Sequence, residues 1–246
     1  MNSTFESNNG IYGGDIHLGA INGPAKVINS KFTNNTADAH MDAIAYGGAI
    51  FTIAPHLKVY NSEFNNNSAP YGGGAISVMF LRNTIEIENC TFKNNAAKIQ
   101  GGAVEIQCSN STIKNCEFVG NRVSSYYGGA VYSTAVNLTI ENAVFKDNSA
   151  AYGGALFMSG ANSNVETVVF DGNTGTYGGA VYLSGVNSNI VDSIFENNKA
   201  SGWAGAILQQ KMLQWTIQSS TTIRLCMVVQ LQFILRDQWI FLIPNY

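Results

Sequence analysis

Two short patterns recur about eight times in this chain, and their spacing constrains the fold more than any other feature. Phenylalanine returns roughly every 25 residues, and an asparagine stands three positions after each one. A Gly-Gly pair follows most of these phenylalanines by about ten residues, and an aromatic residue precedes most of the pairs. Repeats of this length are typical of solenoids, in which each unit packs only against its neighbours.

The repeated residues fall into two aligned columns. The phenylalanine column is Phe5, Phe32, Phe64, Phe92, Phe118, Phe145, Phe170 and Phe195. The asparagine column after Asn8 is Asn35, Asn67, Asn95, Asn121, Asn148, Asn173 and Asn198. If the units stack, equivalent residues lie above one another, so we expect the phenylalanines to stack inside and the asparagines to form a structural amide ladder at a corner.

Between these columns the chain alternates apolar and polar residues. The stretch "LTIENAVF", residues 138–145, shows this pattern, as do "TIEIENCTF" and "AVEIQ". Period-two alternation with β-branched residues indicates short strands, and no segment carries an apolar stripe of helical period. The sequence therefore predicts an all-β parallel β-helix of about eight rungs, with residues 1–210 as one repeat domain.

The strand after each Gly-Gly pair can be divided by face. One row, from Ile50 to Ile207, is uniformly aliphatic and should point into the core. The next row should point outwards, because Glu105 belongs to it and a carboxylate is costly inside. Its aromatic members are candidates for a surface row that binds a glycan or a protein partner, although β-propensity alone would also explain them. They are Phe51, Tyr132, Phe157 and Tyr182.

Cys90 and Cys116 each stand two residues before a phenylalanine of the column, so they should stack on adjacent rungs. Two alternatives stay open for them. Their expected spacing lies within disulfide range. Serines such as Ser30 and Ser62 fill the same slot in other rungs, which favours a pair of small buried residues.

Composition limits the function classes. The formal net charge is -3 and charged residues make up 12%, which argues against a nucleic-acid partner. The cysteine spacing fits no zinc pattern, and no apolar run is long enough for a membrane span. We expect no metal and no cofactor, with His17, His40 and His56 as ordinary surface residues.

A carbohydrate-active enzyme of the same fold is the main alternative, and it would need placed carboxylates. The best acidic neighbours are Asp147 and Asp171, with Asp192 in the following rung. All three stand where other rungs carry turn residues, so we interpret them as solvated substitutions at turns rather than catalytic groups.

The paired motifs in "FKNNAAKIQGGAV", "FKDNSAAYGGAL" and "FDGNTGTYGGAV" resemble the repeat of chlamydial polymorphic outer-membrane proteins. They are equally similar to adhesin-like surface proteins of methanogenic archaea. This resemblance covers residues 1 to about 210 and implies a right-handed β-helix exposed at a cell surface. It further implies a non-catalytic role towards a protein or glycan of a host or neighbouring cell. Because no export signal or anchor is evident, we expect a fragment of a longer exported protein, or a gene fragment without function.

Residues 211–246 break the repeat. The stretch "SSTTIRLCMVV", residues 219–229, lacks both motifs. If the reading frame slipped near Gln210, allowed codons from Trp215 to Leu231 can spell "DNSKFNNNTAVYGGAI", which restores a ninth repeat in register. We therefore interpret residues 211–246 as a frameshift product, a hypothesis that the gene sequence tests directly.

One unit is longer than the rest. Between Phe32 and Gly48 the chain carries an additional "DAHMDA", residues 38–43. We expect this segment to form a loop that bulges from the second rung.

Overall fold

In a computed structural model, residues 2–19, 23–38, 44–80 and 84–209 can be described, together with the backbone of three short strands further on. Within these ranges every regular element is a β-strand. The strands form three long sheets that run along the solenoid and short ladders at one corner.

The first long sheet, called here the phenylalanine sheet, has nine strands, and its first eight carry the phenylalanine column. Its strands are Thr4–Glu6, Lys31–Thr33, Glu63–Asn65, Thr91–Lys93, Glu117–Val119, Val144–Lys146, Val169–Asp171, Ile194–Glu196 and Thr222–Ile223.

The second long sheet, called the glycine sheet, has ten strands, and those up to residue 209 follow the glycine pairs. Its strands are Ile16–Leu18, Ile50–Thr52, Ile76–Val78, Val104–Ile106, Val131–Ser133, Leu156–Met158, Val181–Leu183, Ile207–Gln209, Gln232–Ile234 and Trp239–Ile240.

The third sheet has seven strands. They are Ala25–Ile28, His56–Tyr60, Thr84–Glu88, Thr112–Lys114, Thr139–Glu141, Asn164–Glu166 and Asn189–Val191. Short corner strands follow the phenylalanine sheet at Asn9–Gly10, Thr36–Ala37, Ser68–Ala69, Ala96–Ala97, Arg122–Val123, Thr174–Tyr177 and Lys199–Trp203.

Up to residue 209, the strands of the three long sheets pair in parallel with the equivalent strands of the next rung, which closes about seven turns between the first and the eighth phenylalanine strand. The register is that of the sequence repeat, since Phe92 pairs with Phe118 and Val104 with Val131. The predicted all-β parallel solenoid is confirmed.

The core is built on the phenylalanine column. From Phe32 to Phe195 these rings are at most 1% exposed. Neighbouring centroids lie 4.7–5.1 Å apart with planes within 13° of parallel. That separation corresponds to the parallel-strand spacing and falls within the range that stacked rings prefer.

Asparagine at the turns has a local cause. The φ angle lies between 49° and 53° at five of these asparagines, Asn29, Asn61, Asn89, Asn115 and Asn142. Asparagine tolerates this left-handed region better than most residues, so its recurrence before these five phenylalanine strands is explained by backbone geometry, and Thr167 and Asp192 adopt the same conformation before the last two.

Two predicted features fall largely outside the described residues. The expected loop at residues 38–43 does so except for Asp38. Residues 211–246, interpreted as a frameshift product, lie outside the described residues except for the backbone of three short strands. Thr222–Ile223 extends the phenylalanine sheet, and Gln232–Ile234 extends the glycine sheet before an antiparallel pairing with Trp239–Ile240.

Candidate aromatic binding face

The outer surface of the glycine sheet differs from that of the other two sheets. The five ion pairs of the described residues all lie on the phenylalanine sheet or the third sheet, for example Lys58–Glu86 at 2.7 Å and Lys93–Glu117 at 3.2 Å. On the glycine sheet the outward row packs instead into a separate apolar cluster that includes Phe157, Tyr182 and Leu208. One side of the solenoid is therefore aromatic where the others are charged.

The predicted aromatic row is not exposed, and the prediction is wrong on this point. Its members are Phe51, Tyr132, Phe157 and Tyr182. The row does lie outside the main core, but Phe51, Phe157 and Tyr182 are only 6–8% exposed, and Tyr132 is half-buried. Glu105 was the reason for placing the row outside, and it is fully buried too. A second layer of side chains covers the row.

That second layer, called here the tyrosine cover, consists of the aromatic residues that stand just before the glycine pairs. Tyr127 lies 4.7 Å from Phe157, and Tyr152 lies 5.6 Å from Tyr182, measured between ring centroids. The members of the cover also pair along the axis through isolated backbone bridges or short strands. They are Tyr12, Tyr46, Tyr127, Tyr152, Tyr177 and Trp203.

The glycine pair turns the chain so that the cover can lie over the row. Gly128 has φ of 63°, and a Cβ there would stand 2.2 Å from the carbonyl oxygen of Val131. A Cβ on Gly129 would stand 1.9 Å from the carbonyl oxygen of Gly154 in the next rung. Both positions therefore require glycine, one for its conformation and the other for close backbone approach between rungs.

Two rungs interrupt the tyrosine cover. The bridge that joins Tyr46 to the next rung ends on Gly72, not on Tyr71, and the following member is Gln100. In the row beneath, the corresponding residues are Ser77 and Glu105. This segment, called here the polar break, replaces rings with small and polar side chains.

Glu105 is held at the centre of the polar break by neutral donors. Ser77 donates to its Oε2 at 2.9 Å, and Gln107 donates to its Oε1 at 2.6 Å. Gln100 also donates to Oε1 through a short hydrogen bond. Burial raises the pKa of Glu105 to about 7, although these three hydrogen bonds oppose the shift.

The neighbouring phenols respond to the same environment. Burial raises the pKa of Tyr132 to about 12, and the nearby Glu105 adds to that rise. The pKa of Tyr46 is also raised, first by burial and then by Glu105. Glu105 therefore acts electrostatically on one member of the tyrosine cover, Tyr46, and on Tyr132 in the row beneath.

Three aromatic residues of this face are strongly exposed: Tyr126 at 48%, and Tyr12 and Trp203 at 42% each. Tyr126 lies 5.7 Å from Tyr127, and Trp203 meets Tyr177 at a steep interplanar angle of 83°. Tyr152 and Tyr177 stack on each other at 4.8 Å, so the ring faces that they turn towards each other are covered and their ring edges remain for a ligand.

The asparagine column forms a continuous hydrogen-bond ladder. In each rung the backbone N–H and the side-chain Nδ2 donate to Oδ1 of the next asparagine, as Asn95 does to Asn121 at 2.9 and 3.0 Å. Nδ2 also donates to the carbonyl oxygen of the preceding phenylalanine, as Asn121 does to Phe92 at 2.9 Å. From Asn35 to Asn173 these side chains are fully buried, so the ladder is part of the scaffold.

Cys90 and Cys116 are buried free thiols on adjacent rungs. Their mutual interaction lowers the pKa of Cys90 and, together with burial, raises the pKa of Cys116. Each sulfur also contacts the carbonyl oxygen two residues earlier, at 3.2 Å and 3.0 Å. Ser62 makes the same contact at 2.8 Å, so the thiols occupy the serine position of the repeat.

Of the carboxylates considered for catalysis, Asp147 and Asp192 are turn residues, whereas Asp171 ends the strand Val169–Asp171, so its interpretation as a turn residue is wrong. Asp147 and Asp192 have φ of 53° and 48°, and both are exposed. Asp171 pairs with Lys146 at 3.5 Å and accepts a hydrogen bond from Asn197. His17 contacts Phe51 and His56 contacts Thr84. Within the described ranges, no group of three or more His, Cys, Asp or Glu side chains could hold a metal ion.

Sequence reasoning missed both the tyrosine cover and the polar break. The aromatic residue before each glycine pair was visible as a pattern, but its packing over the neighbouring row depends on the turn. One sequence feature could have identified the polar break. Two successive rungs carry Gly72 and Gln100 at the cover position instead of an aromatic residue, and Glu105 belongs to the second of these rungs.

The comparison with protein families agrees with this architecture. The family model described as a right handed beta helix region matches residues 1–145 and 97–212. The chain therefore belongs to the right-handed β-helix family. No curated protein and no solved structure gives a significant match. Among the described residues, no helix is long and apolar enough to cross a membrane.

Proposed function

We propose that this chain is a non-catalytic, adhesin-like surface protein whose aromatic face binds a glycan. The observation that carries the proposal is the contrast between faces. Two sheets present exposed ion pairs, whereas the glycine sheet presents two aromatic layers that end in the exposed rings of Tyr126 and Trp203. Exposed aromatic groups in a contiguous patch are typical of interaction sites.

The repetition of the face favours a polymer as the ligand. Tyr127, Tyr152 and Tyr177 recur once per rung, with centroids 5.2 and 4.8 Å apart along the axis. A linear glycan that lies along the solenoid advances by about one sugar ring in a similar distance. Successive phenol groups can then contact successive sugar hydroxyls, and the rings of Tyr126 and Trp203 can contact sugar faces.

The scaffold supports a binding role for a simple physical reason. The phenylalanine stack and the asparagine ladder fix every rung in register, so side chains on the glycine sheet keep a constant spacing. Such preorganisation limits the entropy lost when an extended ligand is bound. The same rigidity suits the cell-surface location and the longer exported protein that the repeat motifs imply.

Binding of purified glycans tests the proposal. A panel of cellulose, chitin, pectin and mannan oligosaccharides should be titrated against the wild-type chain by calorimetry. We expect binding of at least one linear member, and about a tenfold loss in a variant that carries both Tyr126→Ala and Trp203→Ala.

A matched control is available on the phenylalanine sheet. Val144 and Ile194 are 37% and 36% exposed, so Val144→Ala with Ile194→Ala removes exposed apolar side chains from another face. This control should bind like the wild type. Equal losses in both double variants, or no glycan binding by the wild type, would contradict the proposal, and cleavage of a glycan would favour the enzyme alternative.

A further inference from the structure

The carboxylate of Glu105 has no cationic partner among the described residues. Its three hydrogen-bond donors, Ser77, Gln100 and Gln107, are neutral. Buried carboxylates are ordinarily paired with a cation, because an isolated charge is expensive to remove from water. In the part of the chain that the structure describes, the five acidic side chains in ion pairs all belong to the other two sheets.

The shape of the polar break is specific to this carboxylate. A Cβ added at Gly72 would stand 2.3 Å from Oε2 of Glu105 and 2.9 Å from Cγ of Gln100. A ring at the cover position would therefore exclude Glu105. Among the described rungs, the acidic side chain lies where the tyrosine cover is open. The missing rings at Gly72 and Gln100 are therefore linked to the presence of Glu105.

Four phenol groups surround the break. Tyr46 and Tyr127 continue the cover on either side, and Tyr132 neighbours Glu105 in the row beneath. Tyr71 lies 4.9 Å from Tyr46. All four are half-buried, and among the three donors to Glu105 only Gln107 is more than slightly exposed. A ligand group can therefore approach across Gln107 and remain between aromatic rings.

Aromatic rings grouped around a negative charge are the chemistry that recognises organic ammonium ions, through attraction to the ring quadrupole and to the charge. A divalent metal ion fits less well. Glu105 is the single carboxylate of the break, and two of the three groups around it donate amide hydrogens.

We propose that the polar break is a subsite for an ammonium group, carried by an amino sugar of the bound glycan. The inference rests on the proposed function of the aromatic face and adds the chemical class of its ligand. The ammonium group lies over the tyrosine rings with Glu105 beneath it, and neighbouring sugar units extend along Tyr152 and Tyr177.

Ionisation of Glu105 sets the pH dependence. Above its pKa of about 7 the carboxylate is charged, so affinity for an amine that stays protonated, such as the lysine side chain, should rise between pH 6 and pH 8. Affinity for an amino sugar should instead be highest near pH 7, because its amine loses its proton as the pH rises further. The titratable groups that face Glu105 are the phenols of Tyr46 and Tyr132, whose pKa values are raised, and they stay protonated in this range. His17 lies three rungs away in the row, in contact with Phe51.

Two oligosaccharides with the same backbone test the proposal. Glucosamine oligomers carry ammonium groups, whereas N-acetylglucosamine oligomers of equal length are neutral. We expect the wild-type chain near pH 7, where Glu105 is partly ionised and the glucosamine amines are still partly protonated, to bind the charged oligomer about tenfold more tightly than the neutral one, a preference within the range of a partly desolvated cation–aromatic contact.

The matched variants are Glu105→Gln and Glu117→Gln. Glu105→Gln removes the buried charge and should abolish the preference, while binding of the neutral oligomer persists. Glu117→Gln removes an exposed carboxylate that pairs with Lys93, and it should behave like the wild type. Preservation of near-ultraviolet circular dichroism in both variants establishes that the fold is retained.

The outcomes separate the two proposals. Equal wild-type affinity for both oligomers, or a preference that Glu105→Gln leaves intact, overturns the ammonium subsite and leaves the glycan-binding face standing. A lysine tripeptide that binds as tightly as the glucosamine oligomer, with the same loss in Glu105→Gln, supports the ammonium site but overturns a sugar as its carrier. Failure of both oligomers and of every other glycan would contradict the proposed function itself.

Discussion

The inner and outer aromatic columns of this solenoid follow different rules. The inner column is phenylalanine in all eight rungs, with planes within 13° of parallel. The outer row varies from phenylalanine to serine, glutamate, tyrosine and leucine, and its contacts with the cover reach an angle of 83°. One column is uniform in residue and geometry, whereas the other tolerates change at nearly every rung.

The difference shows which constraint acts on each column. A ring in the core is enclosed by the strands of its own rung and by the rings of two neighbours, so any other size leaves a void or a clash. The outer row is enclosed on one side by a sheet and on the other by side chains that can shift. The inner column therefore maintains the register, and the outer face is where a ligand can be accommodated without loss of the fold.

The largest effect is expected from truncation in the inner column. Phe118→Ala removes a fully buried ring and should reduce the free energy of unfolding by about 3–5 kcal/mol. Phe157→Ala removes the same ring from the outer row and should cost about 2 kcal/mol, because the cover can relax into the space. Chemical denaturation of both variants measures the difference, and equal losses would contradict the distinction.

A loss of comparable size is expected in the asparagine ladder. Asn121→Ala removes the acceptor of two hydrogen bonds from Asn95 and leaves those donors buried, so we expect a loss of about 2–4 kcal/mol. Asn189→Ala, at an exposed strand position, should change stability by less than about 0.5 kcal/mol. Thermal denaturation compares them, and similar melting temperatures would show that the ladder is dispensable.

Glu105 in the outer row should make the free energy of unfolding depend on pH. The folded chain keeps the Glu105 proton up to about pH 7, whereas the unfolded chain releases it near its usual pKa of 4.5. The folded state thus binds more protons between these values, and stability should fall by ~3 kcal/mol as pH rises through the window. Asp15, whose pKa burial raises to about 6, contributes in the same direction.

Glu105→Gln isolates the contribution of this group. Denaturation midpoints at pH 5, 6, 7 and 8 should decline less steeply in the variant than in the wild type, with the slope from Asp15 remaining. Parallel pH profiles for the two proteins would show that Glu105 does not titrate in this range.

The smallest effect belongs to the charged faces. Lys114→Ala breaks an exposed ion pair with Glu141 at 2.8 Å and should change stability by less than about 1 kcal/mol. Its oligosaccharide binding should match that of the wild type. A loss of binding would place the ligand on the third sheet and not on the aromatic face.

The repeat pattern predicts the fold, but it predicts the candidate site only in part. Phe92 and Asn95 recur with a spacing that only in-register stacking explains, and the structure has them stacked. The burial of Phe157 could not be read from the same pattern, because alternation along a strand assigns a face but does not report what covers it. The cover arises at the left-handed turn of Gly153, beside which Tyr152 contacts Tyr182 in the glycine-sheet strand of the next rung.

If the glycan binds as proposed, it contacts the tyrosine cover and not the charged faces of the other two sheets. Tyrosine ring signals measured by NMR, with and without the glycan that binds in calorimetry, test it within one molecule. We expect shifts at Tyr126, Tyr127, Tyr152 and Tyr177, with no change at Tyr60, which lies on the third sheet beside Glu86. A shift at Tyr60 with an unchanged tyrosine cover would contradict it.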